Sequence, residues 1–192
     1  PLLVYAGSLG PTNGVSFLVD VAKELASLCS DIKILVVGDG AERASLLEKA
    51  NSEGVLNNNF FAEELLPKRK IPALLSAATM ASVLFIDVPE MRANSANKFF
   101  DALASGTPVL VNFGGWINEL VERNSTGVSI WNKSAAEAAL LLDKKMHDKK
   151  WLEKAGKNAR YMAEEYFSRD ILAGQLMEVL ERTLNGDTGS IS

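Results

Sequence analysis

Little in this chain of 192 residues invites covalent or metal chemistry. Its one cysteine, Cys29, rules out an intrachain disulfide. Cys29 falls in an amphipathic helical pattern and reads as a small core or boundary residue. The one histidine, His147, rules out a His-rich metal site, and no Asp-x-Asp pair takes its place. No Ser, His and Asp set sits near a credible nucleophile elbow. No apolar run approaches the length of a membrane span and no signal peptide is present, which fits a cytoplasmic location. Excess charge is also missing. The formal net charge is −4 with both signs mixed, so the basic face of a nucleic-acid binder is absent. Lys68-Arg69-Lys70 and Lys144-Lys145 are flanked by acids and read as solvated faces.

What is there is alternation. Apolar runs at 2–6, 32–37, 59–62, 82–86, 109–112 and 127–130 read as strands. Between them lie helical patterns at 15–28, 41–53, 71–77 and from Asn94 to Gly106. In the first helix Phe17, Leu18, Val21, Leu25 and Leu28 are expected inward. Residues 134–184 are helical with a break near 146–150, and Trp151, Tyr161, Tyr166 and Phe167 there read as core. The tail 185–192 is rich in Gly, Ser, Thr and Asp and is expected to be disordered. Such alternation predicts an α/β fold, a Rossmann-like doubly wound parallel sheet. Right-handed crossovers then bring the turns after the strands to one carboxyl edge, where ligands bind in such folds. Those turns are 7–14, 38–41, 87–95 and 113–118. Pro1 stands directly before a strand without a methionine, so the chain reads as an excised domain.

The most informative stretch is Asn94-Ser95-Ala96-Asn97-Lys98-Phe99-Phe100-Asp101-Ala102-Leu103-Ala104-Ser105-Gly106-Thr107-Pro108-Val109. Asn94 and Ser95 are good N-caps. Gly106 suits the left-handed position past a helix end, and Pro108 forbids continuation. Phe99, Ala102 and Leu103 share one face; Asn97, Lys98 and Asp101 share another. The polar face thus lies at a helix N-terminus, where free N–H groups and the macrodipole attract phosphate. A carboxylate one turn further in accepts hydrogen bonds from a diol. Phosphate donors beside a diol acceptor suit the diphosphate and ribose of a nucleotide.

With the strand behind it and the loop Phe113-Gly114-Gly115-Trp116, this stretch resembles the donor-binding, C-terminal half of glycosyltransferase family four, of the GT-B type. More narrowly it is similar to bacterial enzymes of capsule, O-antigen and exopolysaccharide (lipopolysaccharide-type) synthesis, which carry a comparable Ser-x-Asn-Lys-Phe-Phe-Asp run, then Gly-x-Pro-Val and Gly-Gly-Trp. The likeness begins at Val4-Tyr5-Ala6-Gly7 and passes through Leu35-Val36-Val37-Gly38-Asp39-Gly40, Pro67-Lys68 and Ile71-Pro72-Ala73-Leu74-Leu75. It implies that residues 1–184 form a nucleotide-sugar binding domain whose N-terminal acceptor lobe is absent from this chain. It also implies transfer of a sugar from a nucleoside diphosphate, UDP in the first place, to a saccharide or lipid-linked acceptor. Retention at the anomeric carbon is implied, with no metal and no cofactor. Membrane association would reside in the absent lobe.

Site residues follow from the same resemblance. Asp101 stands where the second glutamate of the family's Glu-x7-Glu pattern binds ribose; the first position is Ala93. Backbone around Asn94, Ser95, Ala96 and Asn97, with Gly7, Ser8 and Gly10, is implied at the phosphates. The family's arginine and lysine of that glycine-rich turn are replaced here by Ser8 and Asn13. Lys98, or Arg92 in the preceding loop, is then the candidate cation. Gly38, Phe61 and Ala62, and Gly115 and Trp116, are candidates for the base or sugar pocket. Trp116 reads equally as a packing aromatic. Gly38-Asp39-Gly40 is no dinucleotide fingerprint, because Arg43 holds the third glycine's place and the turn follows the second strand. Two other readings stay open: a sugar-nucleotide epimerase of the same architecture, and a nucleotide-binding module without catalysis.

Overall fold

The structure, a computed structural model, describes residues 1–184. Six strands form one sheet: β1 (Leu2–Ala6), β2 (Lys33–Val37), β3 (Phe60–Glu63), β4 (Met80–Val83), β5 (Val109–Val111) and β6 (Gly127–Ser129). All neighbours pair in parallel, in the order β3-β2-β1-β4-β5-β6. The described residues form eight α-helices: α1 (Phe17–Ser27), α2 (Arg43–Ser52), α3 (Ile71–Ala77), α4 (Asn97–Ala104), α5 (Trp116–Asn124), α6 (Ala135–Met146) and α7 (Lys149–Tyr166), which bury residues, and α8 (Arg169–Leu184), which buries none. The doubly wound α/β fold expected from the alternation is present. The 185–192 tail lies outside the described residues.

Alternation along β1 divides the core. Leu3 and Tyr5 enter one apolar cluster, with α1 and α6 residues such as Leu18, Val21, Leu25, Ala138 and Leu142. Val4 enters the other, with Phe99, Leu103, Ile117 and Met162 from α4, α5 and α7. Both sheet faces are covered, as an all-parallel sheet requires.

Several local expectations need correction. The fourth strand is Met80–Val83, two residues earlier than the apolar run 82–86 suggests. Beyond Val83 the side chain of Asn112 replaces the ladder: its Oδ1 accepts from the Phe85 N–H (2.9 Å) and its Nδ2 donates to the Phe85 carbonyl (3.0 Å). Helix α1 ends at Ser27, so Leu28 is exposed rather than inward. Cys29 is exposed too, in the left-handed conformation (φ 56°) of a Schellman turn closed by Ser30 N–H on the Leu25 carbonyl. Tyr161 and Tyr166 are exposed and stack edge to face on each other, whereas Phe167 packs against Phe100. The break between α6 and α7 falls at His147–Asp148 as expected, and a second one falls before α8.

Candidate functional site

The reversal in strand order lies between β1 and β4, so a crevice opens there at the carboxyl edge of the sheet. Helix α4 starts beside it. Its N-cap is Ala96, without a side-chain cap; neither Asn94 nor Ser95 serves, because the helix starts only at Asn97. The C-terminal expectation holds. Gly106 is left-handed (φ 66°), and the Thr107 N–H reaches back to the Ala102 carbonyl.

From this start Lys98 turns inward over β1. Its ammonium donates to the Tyr5 hydroxyl (3.0 Å) and to Asn13 Oδ1 (3.0 Å). It also lies over the Tyr5 and Phe85 rings, at 4.6 and 5.4 Å from their centroids. No carboxylate pairs with it among the described residues. Burial without a counter-charge lowers its pKa to about 8. The same burial raises that of Tyr5. Tyr5 in turn donates to the Ser8 carbonyl (2.6 Å), and Asn13 Nδ2 donates to Ser8 Oγ (3.4 Å). One polar network thus ties the turn at 7–14 to α4. Asn13, at the position where the resemblance implies a lysine, holds the ammonium of Lys98 instead.

Glycine is required at Gly38 for contact rather than flexibility, and Gly7 sits close against Lys98. A Cβ on Gly7 would crowd the Lys98 stem (3.2 Å), and one on Gly38 would collide with the Gly7 carbonyl. The two turns are also stitched by Gly7 N–H to Val37 O, Leu9 N–H to Asp39 O and Glu42 N–H to Leu9 O. Gly10 adopts ordinary extended backbone.

Asp101, one turn beyond Lys98, is exposed, and its carboxylate makes no hydrogen bond or ion pair among the described residues. With Lys98, Val4, Ala6, Ile71 and Ala81 it lines a small cleft between α3, α4 and the sheet. Asn97 and Ser95 are exposed beside it. Arg92 points elsewhere, over the Trp131 ring (5.4 Å) and toward Asp87 (3.7 Å).

The base-or-sugar candidates divide into two groups. Gly38 meets β3, its N–H bonding the Glu63 carbonyl (3.2 Å) next to Ala62 and Phe61. Gly115 and Trp116 lie past β5, three strand spacings from β2 and four from β3, roughly 14 to 19 Å. Trp116 is half-buried against Phe99 and Phe100, and its indole N–H donates to the Asn94 carbonyl (3.1 Å). His147 is remote from all of these, bridging Asp31 and the Asp143 carbonyl at the surface. Among the described residues no acidic, His or Cys cluster suits a metal ion, and no helix is long and apolar enough to cross a membrane. Sequence reasoning missed Tyr5 and the role of Asn13. Their contacts with Lys98 span 93 and 85 residues and leave no local pattern.

Comparison with known proteins follows the same outline. The family described as Glycosyl transferases group 1 matches residues 1–162. A 2-deoxystreptamine glucosyltransferase of Streptomyces kanamyceticus is 29% identical over 148 residues, 77% of this chain and 37% of that protein. HepE of Anabaena, solved with UDP and glucose, superposes with a TM-score of 0.78 at 21% identity, over 94% of this chain and 48% of its own. The C-terminal domain of a group 1 glycosyl transferase, LpcC of Francisella tularensis, superposes at 0.70 and 18% identity, over 88% of this chain and 86% of that domain. The chain spans less than half the length of the curated relatives it matches.

Proposed function

The chain belongs to the Glycosyl transferases group 1 family, and from that membership we propose that it is the donor-binding half of a sugar-transferring enzyme. The observation that carries this reading is the pairing of Lys98 and Asp101, one helical turn apart, over the crevice between β1 and β4. Among the described residues Lys98 is a cation without an anion, and Asp101 a carboxylate without a donor. A nucleoside diphosphate satisfies both: its diphosphate meets the ammonium and the uncapped first turn of α4, and its ribose diol meets the carboxylate. Ser8, Gly7 and Gly10 flank the phosphates, and Gly38, Phe61 and Ala62 lie toward the base. UDP is the nucleotide this reading assigns, as in the HepE complex.

The chemistry asked of these residues is electrostatic. As the glycosidic C–O bond to the donor breaks, negative charge grows on the leaving diphosphate. Lys98 and the α4 N–H groups are already oriented to stabilise it, with no metal and no cofactor. The other half of the protein would bring a saccharide or lipid-linked acceptor whose hydroxyl attacks with retention, in surface polysaccharide synthesis. Calorimetric titration with UDP, against GDP, ADP and uridine, tests the reading. UDP-selective binding that weakens about tenfold in Asp101→Ala is expected. Equal binding of all nucleotides, or none to the chain and to its full-length parent, would reject it.

A further inference from the structure

The loop from Leu84 to Ala96 delivers the chain from β4 to α4, and its start is anchored by Asn112 on the Phe85 backbone and by the Ile86 N–H on the Thr12 carbonyl. Its internal bonds are short-range: Val88 N–H to Ile86 O, Met91 N–H to Val88 O and Asn94 N–H to Met91 O. Beyond Ile86, the residues Gly114, Gly115 and Trp116 each add one contact from the far side. The Trp131 ring, over which Arg92 lies, rests on Gly114; a Cβ there would stand 2.7 Å from the indole. The Arg92 carbonyl rests on Gly115, where a Cβ would collide with it. Gly115 also has φ 103°, which L side chains rarely adopt. The Trp116 N–H is taken by the Asn94 carbonyl (3.1 Å). The Trp116 ring is itself wedged against Phe99 and Phe100 of α4, so its nitrogen has a fixed position.

We propose that Trp116 is a positioning residue for the donor diphosphate: through the Asn94 carbonyl it sets where the chain enters α4, and so where the free N–H groups and Lys98 point. It touches the helix and not the donor. Gly114 and Gly115 are small so that the loop can seat on the same saddle. The proposal rests on the reading above, in which the start of α4 receives the diphosphate. A side chain that only stabilised the fold would weaken every nucleotide alike. One that aims the start of α4 affects the ligand with the second phosphate most, so the ratio of UDP to UMP affinity is the discriminating quantity.

Trp116→Phe keeps a ring against Phe99 and Phe100 and removes the N–H. Benzothienylalanine placed at position 116 keeps the whole bicyclic volume and removes only the N–H, so it serves where phenylalanine packs poorly. Calorimetry on each is expected to lower the UDP to UMP affinity ratio about fivefold, the scale of one neutral hydrogen bond. Hydrogen exchange is expected to quicken at residues 91–98 and stay unchanged in α7. An unchanged ratio in the benzothienylalanine protein would overturn the proposal while leaving the donor site intact. Failure of the unsubstituted protein to bind UDP would remove the donor-site reading and this proposal together.

Discussion

Two helices start on the same carboxyl rim and close their first turns in opposite ways. Helix α6 seals itself. Ser134 Oγ accepts from the Glu137 N–H, and Glu137 returns a bond to the Ser134 N–H, a complete capping box. Helix α4 begins on Ala96, which has nothing to offer its first N–H groups, and puts a partly buried lysine one residue inside. Of the six helices that follow a strand onto this rim, α6 alone has a side-chain cap. Satisfied donors belong to the outermost helix, beside the edge strand β6. Unsatisfied donors joined to an unpaired cation lie at the strand-order reversal, where a ligand binds in this fold class.

The largest way to break the contrast is to remove the cation. Lys98→Met is expected to weaken UDP binding by about 10- to 100-fold, the range of a charge-assisted hydrogen bond, by calorimetry; Lys98→Arg should retain more of it. The pH dependence sharpens this. With Lys98 losing its proton near pH 8 in the free protein, diphosphate binding above that pH must take up a proton. Affinity should then fall by up to about tenfold per pH unit. The arginine variant should stay flat, since its side chain does not titrate there. The same depression makes folding stability rise between pH 8 and about 10.4, where the unfolded chain holds the extra proton.

Exchanging the caps is the next test. Ser134→Ala should cost about 1 kcal/mol of stability in denaturant titration and leave UDP affinity unchanged. Ala96→Ser should have the reverse character: it caps α4, leaves or slightly raises stability, and lowers UDP affinity about twofold by competing for the same N–H groups. The smallest effect lies away from the rim. The Asp143 carbonyl and the Asp31 carboxylate raise the pKa of His147, so the folded state holds its proton more tightly. That contribution is fully present below about pH 6.5 and is lost as pH rises through the raised value. Asp31, held low by His147, sets the acid limit: its share is lost as pH falls through its depressed pKa. The melting-temperature gap between wild type and His147→Ala should therefore be widest near pH 5 to 6 and narrow as pH rises through the raised value.

Periodicity made the fold legible because it is a local property. The β1 and α3 boundaries match the apolar pattern residue for residue. It misled where tertiary contacts outvote the pattern. Asn112 takes over Phe85, which looked like strand, and Leu28 and Cys29 belong to a helix end rather than to its buried face. Asn94 and Ser95 have the chemistry of caps, but Trp116 holds the Asn94 carbonyl and the chain bends two residues later. Within the site, Lys98 and Asp101 were readable from helical spacing. Their surroundings were not: the polar network on Lys98 joins α4 to β1 and the turn after it, 85 to 93 residues away, and an ammonium bond to Asn13 has no signature until the sheet brings them together.

Cys29 gains a practical value from the turn that displaced it. The chain has a single thiol, it is exposed, and it precedes β2 at the amino edge of the sheet. The five residues of β2 put roughly 17 Å between it and the crevice. A maleimide dye would therefore attach at one known point, without engineering, on the side of the molecule away from the proposed nucleotide site. Titrations at nanomolar protein and surface tethering with the rim facing solution both become available from the native sequence.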